Sequence, residues 1–500
     1  MNKNDAKISL DKIVEISTRR GILFPTGSIY GGLAGFYDWG PIGSELRRNI
    51  LESWWSFFVR SRDDVVGIHG AIITHPRVWE ASGHTKEFID VLVECKKCKS
   101  RYRADHLLED LGIEIKDTSV EALAKLLKEY NVKCPKCGGE LSEPKPFNLM
   151  FETYIGPQRD KSNIAYLRPE TAQLIFIHFK EVMLSARMKL PFGIAQIGRS
   201  FRNEISPRNF VFRMREFEQM ELEYFVNPKK LNDCPYFYEV SNIELPLLTA
   251  DTQLKGRDKV VNITTADAVA QGHIKSKWHA YWIAKSLIWL LELGIRRENL
   301  RIREHLPTEL SHYAIQTFDI EYNFPYMGWK EIVGIANRGD YDLNQHQKYS
   351  GKDFTVIEDG ERVIPYVIEP SFGLERIVLT LLTDSYRLID NKNVLSLKPS
   401  ISPYKIGVYP LLKKPEFIKK AREIYEILRK NFQQVLYDES GSIGKRYARA
   451  DEIGIPFGVT IDHETLEKDT VTIRFRDTRE QIRVHLNELI NKFKELMETD

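Results

Sequence analysis

No apolar run in this 500-residue chain reaches the roughly eighteen residues that a membrane helix needs. The closest, Ala280–Ile295, is interrupted by Lys285 and Glu292. The opening MNKNDAKISLDKIV has no apolar core, so no secretory signal is expected. Charge of one sign is lacking too: 72 basic and 70 acidic side chains leave a formal +2, and any surface for nucleic acid must be local. Internal repeats and low-complexity tracts are absent, which argues against a solenoid or a disordered chain. Cysteine is scarce. Four of the five fall in two CxxC pairs, a metal-binding pattern of a reducing compartment rather than a disulfide framework, and a cytoplasmic location is expected.

What is there is the composition of a globular protein, 42% hydrophobic and 28% charged, with length for three or four domains. Residues 8–20 read as an amphipathic helix carrying Ile8, Ile13, Val14 and Ile16. A longer helix is expected over Leu46–Val59, after the breaker Gly40-Pro41-Ile42-Gly43. Between the CxxC pairs, Leu123, Leu126, Leu127 and Tyr130 fall at helical spacing, with Thr118 and Glu121 placed for a capping box. Further expectations are a helix around Thr171–Met188, strands Gly193–Ile197 and Met220–Phe225, a helix Trp278–Leu293, strands near Thr317–Tyr322 and Ile332–Ile335, and a strand Tyr366–Glu369 entering a helix Gly373–Leu382. Residues 229–280 read as an inserted segment. Past the proline-bearing linker near 398–403, strands Lys405–Tyr409, Gln434–Tyr437, Phe457–Ile461 and Val471–Phe475 alternate with helices Pro415–Asn431, Ile443–Ile453 and a final His485–Met497, an α/β domain over 403–500.

Three stretches carry chemistry. The stretch 201–225, FRNEISPRNFVFRMREFEQMELEYF, places four arginines and five glutamates around a loop at Ile205–Asn209. In a strand, Arg202 and Glu204 would share a face; Arg213 and Phe217 would do so if the chain stays extended. Guanidinium groups beside an aromatic ring suit a nucleotide, although charge alternation on one hairpin also describes a solvated, salt-bridged surface. In 366–382, YVIEPSFGLERIVLTLL, Arg376 sits in the first turn of a helix, where the dipole disfavours a cation. A bound polyphosphate would supply the reason; a snorkelling arginine is the plainer account. The third stretch, 37–50, YDWGPIGSELRRNI, is a turn and a helix start.

The pairs Cys95/Cys98 and Cys134/Cys137 can place four thiolates on one metal, and four sulfurs at tetrahedral geometry favour a structural zinc. The 35 residues between the pairs exceed ordinary ribbon spacing, so structure in between must close the site; reduced buried thiols without metal are the alternative. Cys234 has no CxxC partner and is expected to be inert.

Taken in order, the three stretches resemble the signature motifs of class II aminoacyl-tRNA synthetases: a dimer-packing motif, the pattern Arg-x-Glu, loop, Arg-x-x-x-Phe at Arg202, Glu204, Arg213 and Phe217, and Gly-x-x-Arg at Gly373 and Arg376. The longer texts GGLAGFYDWGPIGSELRRNI, RPETAQ (168–173), AQIGRSFRNEISPR and EPSFGLER are similar to those of the dimeric glycyl-tRNA synthetases, over nearly the whole chain except 229–280. The resemblance implies an α+β catalytic domain on an antiparallel sheet flanked by helices, divided as 1–94 and 147–398 around a zinc-binding insertion at 95–146, followed by an anticodon-binding domain.

It also implies ATP, Mg²⁺, glycine and tRNA(Gly) as ligands and a homodimer off the membrane. Arg202 would hold the α-phosphate and the glycine carboxylate. Glu204 and Arg213 would contact ATP, Phe217 would stack on adenine, and Arg376 would lie opposite or reach the γ-phosphate. Asn203, Phe212, Ile332 and Gly373 complete the ATP set, and Glu331 would bind Mg²⁺. Glu170, Glu221, Glu369 and Ser371, with Phe217 and Gly373, would surround glycine, and Arg103 would touch substrate, with Arg101 as its rival. Every competing amino acid is larger than glycine, so steric exclusion suffices and no editing domain is expected. On the early helix of the C-terminal domain, Lys445, Arg446 and Arg449 are either tRNA phosphate contacts or a solvated face. Two other readings stand beside this one: a class II synthetase for threonine, proline or histidine, and a synthetase-like protein that only binds nucleic acid.

Overall fold

The computed structural model describes residues 8–113, 115 and 117–498. The chain starts with helix α1 (Leu10–Arg19), capped by the Ser9 hydroxyl oxygen, which accepts from Lys12 N–H; Ile13 and Ile16 are its buried face. Helix α2 (Pro41–Trp55) begins earlier than the sequence pattern suggested. Gly-Pro does not break it: Pro41 takes the first helical position, where a missing N–H costs nothing, and a π-type turn Ser56–Arg60 carries it on. Gly43 is obligatory there, since a Cβ would stand 1.9 Å from the Ile22 carbonyl oxygen.

The platform is a nine-stranded sheet. Its strands in chain order are β1 (Val65–Ile68), β2 (Phe192–Phe201), β3 (Glu216–Val226), β4 (Glu244–Leu248), β5 (Val261–Thr264), β6 (Leu300–Glu304), β7 (Gln316–Phe324), β8 (Gly328–Gly339) and β9 (Tyr366–Gly373). The spatial order is β5-β4-β6-β7-β8-β9-β3-β2-β1, antiparallel except for the β4/β6 and β1/β2 pairs. The 229–280 segment therefore extends the sheet with β4 and β5 instead of standing apart from it.

Side chains alternate across this sheet. On one face Met220, Leu222 and Tyr224 of β3, Phe318, Ile320 and Tyr322 of β7, and Ile368 and Phe372 of β9 enter the main core. Helices α3 (Lys277–Glu292) and α4 (Leu374–Ser385) and the end of α2 cover that face, with Trp54, Trp282 and Trp289 packed around Phe58 and Phe372. Rings of this size contribute roughly 4–6 kcal/mol each by area, before entropy is charged against them. The hydrophobic back leaves the front face of the sheet free for polar work.

Residues around the CxxC pairs form a module of their own. Strands Ile89–Glu94, Arg101–Arg103 and Lys145–Asn148 make a small sheet, and helices Ala104–Glu109 and Val120–Glu129 bury Leu107, Leu108, Leu123 and Leu127 against it. The expected cap shifts by one residue: Ser119, not Thr118, accepts from Ala122 N–H at 3.3 Å. The helix expected over 171–188 is two, Ala172–Ile177 and Phe179–Ser185, separated at His178.

The C-terminal part is a five-stranded sheet of β10 (Ile406–Pro410), β11 (Val435–Tyr437), β12 (Phe457–Ile461), β13 (Thr470–Phe475) and β14 (Gln481–His485), ordered β11-β10-β12-β13-β14. Helix α5 (Pro415–Asn431) buries Phe417, Ala421, Ile424 and Leu428 on it. Two elements escaped the sequence pattern. β14 occupies the start of the region expected as final helix, which runs from Leu489 to Glu498, and a short helix His463–Lys468 is closed by a capping box between Asp462 and Thr465. Glu452, at the end of helix α6 (Ile443–Glu452), takes Arg19 at 2.8 Å and also Arg20, which fastens this domain to α1. Among the described residues no helix is long and apolar enough to cross a membrane.

Candidate active site

The polar face of the sheet carries, on adjacent strands, Phe217, Gln219, Glu221 and Glu223 of β3, Glu369, Ser371 and Gly373 of β9, and Asp319 and Glu321 of β7. A bulge between β7 and β8 adds Ile332 to the β8 side of the register beside Glu331. Two neighbouring sites result, one rich in arginine and one rich in acid.

The arginine-rich site is a cleft of about 180 Å³ lined by Arg202, Glu204, Phe212, Arg213, Phe217, Gln219, Glu331, Ile332, Ser371, Gly373, Glu375 and Arg376, with Val211 and Met214 behind. Arg202 and Glu204 do not share a strand face as the pattern suggested. β2 ends at Phe201, and Glu204 N–H turns back to the Arg202 carbonyl. They meet the cleft because the 202–215 loop folds over it, held by Arg213 to Glu204 at 3.3 Å and by Arg215 to the carbonyls of Glu204 and Ala34. The Arg202 guanidinium lies 5.2 Å from the Phe217 ring and donates to the Pro169 carbonyl. Arg376 explains its awkward helical position: it pairs with Glu331 at 3.0 Å, donates to the Phe212 carbonyl, and stacks on Phe212 at 4.6 Å. Asn203 is not among the cleft's lining residues, and its backbone N–H is bonded to the Leu149 carbonyl.

The three motif stretches converge physically. Arg47 of α2 forms a forked bond to Glu218 of β3, and Glu218 N–H donates to Glu375 in the first turn of α4. Burial, against that backbone bond, pushes Glu375 up to about 8.

Beyond Ser371 the cleft meets the acids. Glu221 is opposite Ser371 in the β-ladder, accepts the Ser371 hydroxyl at 2.8 Å, and also accepts the Thr171 hydroxyl. Glu170 accepts from Gln173 at 3.0 Å and pairs with His84 at 3.3 Å. Burial alone would raise Glu170, but His84, Arg338 and Gln173 outweigh it and hold the group well below the carboxylate range. Glu221 is raised by burial and by Glu170; Glu369 is pushed up to about 8 by burial, opposed by Arg338 and reinforced by Glu221 and Glu170. One ligand oxygen from each of Glu221, Glu223 and Glu369 lies within 4.8 Å of the others. Such crowding of acids around one guanidinium suits a cation that has left its water.

Sequence reasoning missed that guanidinium. Arg338, fully buried, makes a two-pronged bond to Asp342 at 2.7 and 2.9 Å and one to Glu369 at 2.9 Å. It also missed Arg168, whose side chain donates to the carbonyls of Arg199 and Gly70 and so fixes the loop bearing Glu170 and Thr171; Gly198 makes room, since a Cβ there would be 2.1 Å from the guanidinium. Asp319 was overlooked as well. It bonds His305 at 2.7 Å, and a Cβ on Gly334 would stand 3.8 Å from its carboxylate and 3.7 Å from that of Glu331.

Arg103 does not line the cleft. It pairs with Asp90 at 2.8 Å and Asp105 at 2.6 Å, close enough for its charge to act on Glu204 and Arg213. Its rival Arg101 is exposed and pairs with Glu94. On α6, Arg446 is buried and donates to the carbonyls of Pro410, Glu439 and Gly441, so it is no phosphate contact; Arg449 is bound to Asp438, and Lys445 is exposed.

The four cysteines of the CxxC pairs come together, with Cys95 and Cys137 sulfurs 3.5 Å apart and those of Cys98 and Cys134 3.6 Å apart. Four sulfurs about 2.3 Å from a tetrahedral zinc stand about 3.8 Å from one another, so the set fits that ion. Cys234 is elsewhere, its thiol pushed up to about 12 by burial.

Two domain families match the chain: the class II core domain of tRNA synthetases (G, H, P, S and T) over residues 151–386, and the anticodon binding domain over 405–496. Over 502 aligned positions the chain is 46% identical to the glycine–tRNA ligase of Caldanaerobacter subterraneus subsp. tengcongensis, covering 98% of each. The chain belongs to the glycine–tRNA ligase family. Its likeness to other family members is similar: 45% to the Geobacillus kaustophilus ligase, covering 96% of this chain and 97% of that one, and 43% to the Treponema denticola ligase, covering 98% and 97%. Among solved structures, the prolyl-tRNA synthetase of Cryptosporidium parvum complexed with L-proline and AMP superposes with a TM-score of 0.58 at 14% identity, over all of this chain and 77% of that one, a likeness of fold. Within the glycine–tRNA ligase family the class II core thus accounts for eight of the nine strands and the arginine-lined cleft, and the anticodon binding domain for the second sheet.

Proposed function

We propose that this ligase activates glycine with ATP in the arginine-lined cleft and esterifies it to the terminal adenosine of tRNA(Gly). In the first step a glycine carboxylate oxygen attacks the α-phosphorus while the bond to the β-phosphate oxygen breaks, giving glycyl-adenylate and pyrophosphate. In the second, a ribose hydroxyl of the tRNA attacks the adenylate carbonyl and AMP leaves with the bonding pair. Neither step needs a covalent side-chain intermediate; positioning and charge neutralisation suffice. The observation that carries this reading is the adjacency of the two sites: arginines 202, 213 and 376 line a cleft that reaches Ser371, and Ser371 bonds Glu221 of the acid pocket.

In this reading Arg202 neutralises the α-phosphate and the glycine carboxylate, Phe217 supports the adenine, and Arg376 meets the outer phosphates when Glu331 releases it. Mg²⁺ would be held by Glu331, with Asp319 beside it, and would screen the phosphate oxygens. Glu221, Glu369 and Glu170 receive the ammonium, while Arg338 fixes Glu369. The loop of Arg168 and the packed carboxylates leave little room for a Cβ, which is how a ligand without a side chain is chosen. Arg103 steadies the 202–215 loop through its charge. Four thiolates at Cys95, Cys98, Cys134 and Cys137 hold a structural zinc, with no open position for chemistry. Two chains pair through the motif around α2, the second sheet receives the anticodon, and the enzyme works in the cytoplasm.

Amino-acid-dependent exchange of pyrophosphate into ATP, with glycine against the other nineteen, tests the assignment. Exchange with glycine alone is expected; equal exchange with proline, threonine or histidine would replace the reading with that of a sister synthetase.

A further inference from the structure

Glu223 is the fourth acid of the front face near the pocket, and the family motifs leave it without a role. It follows Glu221 by two residues on β3, so the alternation of the strand points both side chains the same way. It is fully buried, and among the described residues neither of its carboxyl oxygens has a hydrogen-bond partner. Yet one of those oxygens lies within 4.8 Å of the ligand oxygens of both Glu221 and Glu369.

A carboxyl group in that position cannot stay ionised alone. The groups that face it are Glu221 on its own strand, Glu369 on β9, Arg338 on β8 and Asp342 on the helix Tyr341–Ser350. Arg338 is the one cation among these, and its nitrogens already serve Asp342 twice and Glu369 once. Burial, reinforced by Glu369, drives Glu223 well above the ordinary carboxyl range. A protonated acid has a single donor, and the acceptors around it are carboxylate oxygens of its two neighbours.

We propose that Glu223 is a fourth carboxyl of the ammonium pocket, a positioning residue whose O–H is directed to Glu221 or Glu369 and keeps those two acids at the separation an ammonium group needs. It adds no further negative charge. Glu221 and Glu369 stay close enough to take one ammonium group between them, and the pocket does not collapse or draw in water before glycine arrives. This inference rests on the placement of glycine among Glu221 and Glu369 proposed above.

The test compares Glu223→Leu, which keeps the volume and removes the donor, with Glu223→Gln, which restores an N–H donor. The Leu variant should raise the glycine KM about tenfold or more, the scale of a hydrogen bond to a charged group. The Gln variant should recover most of that loss, and neither should shift the ATP KM comparably. Infrared spectroscopy of the full-length protein without substrate should show protonated-carboxyl absorption at neutral pH, one component of which Glu223→Gln removes while that of Glu369 and Glu375 persists. The inference is overturned if Gln impairs glycine binding as much as Glu221→Gln does, which marks an ionised ligand. It is overturned equally if Leu leaves the glycine KM at its wild-type value, or if the infrared band is unchanged by Glu223→Gln. If the Leu variant does not fold, the Gln kinetics and the band still decide. Because the band is read without substrate, its loss alongside a failed glycine exchange would sink the function and not the protonation.

Discussion

Ser371 donates its hydroxyl hydrogen to Oε1 of Glu221 across 2.8 Å, and the two residues face each other directly in the β3/β9 ladder. The bond joins the nucleotide cleft to the acid pocket, since Ser371 lines the former and Glu221 belongs to the latter. It also fixes which lone pairs of Glu221 remain for an ammonium group, because Thr171 occupies the other oxygen. Ser371→Ala removes one charged hydrogen bond and should raise the glycine KM by about tenfold, leaving the ATP KM near wild type. Steady-state exchange kinetics at varied glycine and varied ATP would separate the two, and a shift confined to the ATP KM would place Ser371 in the nucleotide site alone.

Among the described residues the Arg202 side chain makes one hydrogen bond, to the Pro169 carbonyl, and otherwise rests on the rings of Phe88 and Phe217. An arginine with so few structural duties, lining a cleft, is placed as the proposed nucleotide role requires. Arg202→Ala should lower the rate of adenylate formation by about a hundredfold or more, the scale of removing one preorganised donor from a developing charge. Its thermal unfolding midpoint should move little. A variant with full exchange activity would remove Arg202 from the reaction.

How far the sequence anticipated these sites depends on whether the information was local. Helix Pro415–Asn431 and strand Phe457–Ile461 were read to the residue, because a proline at the first position and a strict apolar period are local signals. The pairing of Glu221 and Glu223 on one face follows from the same kind of alternation, and MELEYF displays it. What stayed hidden is set by partners far away in the chain. Arg338 in IANRGD looks like any surface arginine until β8 places it against Glu369, 31 residues on. Arg446, in a basic helix turn, turned inward to three carbonyls. Arg202 and Glu204 gather at the cleft through a folded loop and not through strand periodicity, so the geometry by which the sequence pattern joined them does not hold.

The main core contains a histidine that titration should reveal. His279 on α3 is fully buried, donates from Nε2 to the Ile335 carbonyl at 3.1 Å, and has no partner for Nδ1 among the described residues. Burial lowers it from 6.5 to about 4, the bond to Ile335 opposing in part. The unfolded chain therefore binds a proton at higher pH than the folded one. Stability from this group is complete above pH 6.5 and is lost progressively as the pH falls toward 4. The full loss is ~3 kcal/mol, from the size of the shift. Chemical denaturation at a series of pH values should show the decline, and a variant His279→Gln should flatten part of it. An unchanged slope in that variant would assign the acid sensitivity to other groups, such as His346, which burial likewise lowers to about 4.

The cysteine cluster should matter to the nucleotide cleft through a mechanical link. Arg208, in the loop that closes the cleft, reaches Asp110 at 3.3 Å and Glu109 at 3.5 Å at the end of the module's first helix, and Ser206 approaches the Arg101 carbonyl. These exposed ion pairs are individually weak, within about 1 kcal/mol. Their anchor is the module's small core, whose two ends are joined where the sulfurs meet. Removing zinc with a chelator, or replacing Cys134 by Ser, should loosen the module and raise the ATP KM severalfold, because the loop loses its outer support while Arg202 and Arg376 keep their own. The glycine pocket, built on β3, β8 and β9, should be affected less. Elemental analysis should find one zinc per chain in the untreated protein, and proteolysis within the module should quicken on its removal. A chain that carries no zinc as isolated and resists proteolysis equally with and without chelator would leave the four thiols as a packed cluster and the link to the cleft without a cause.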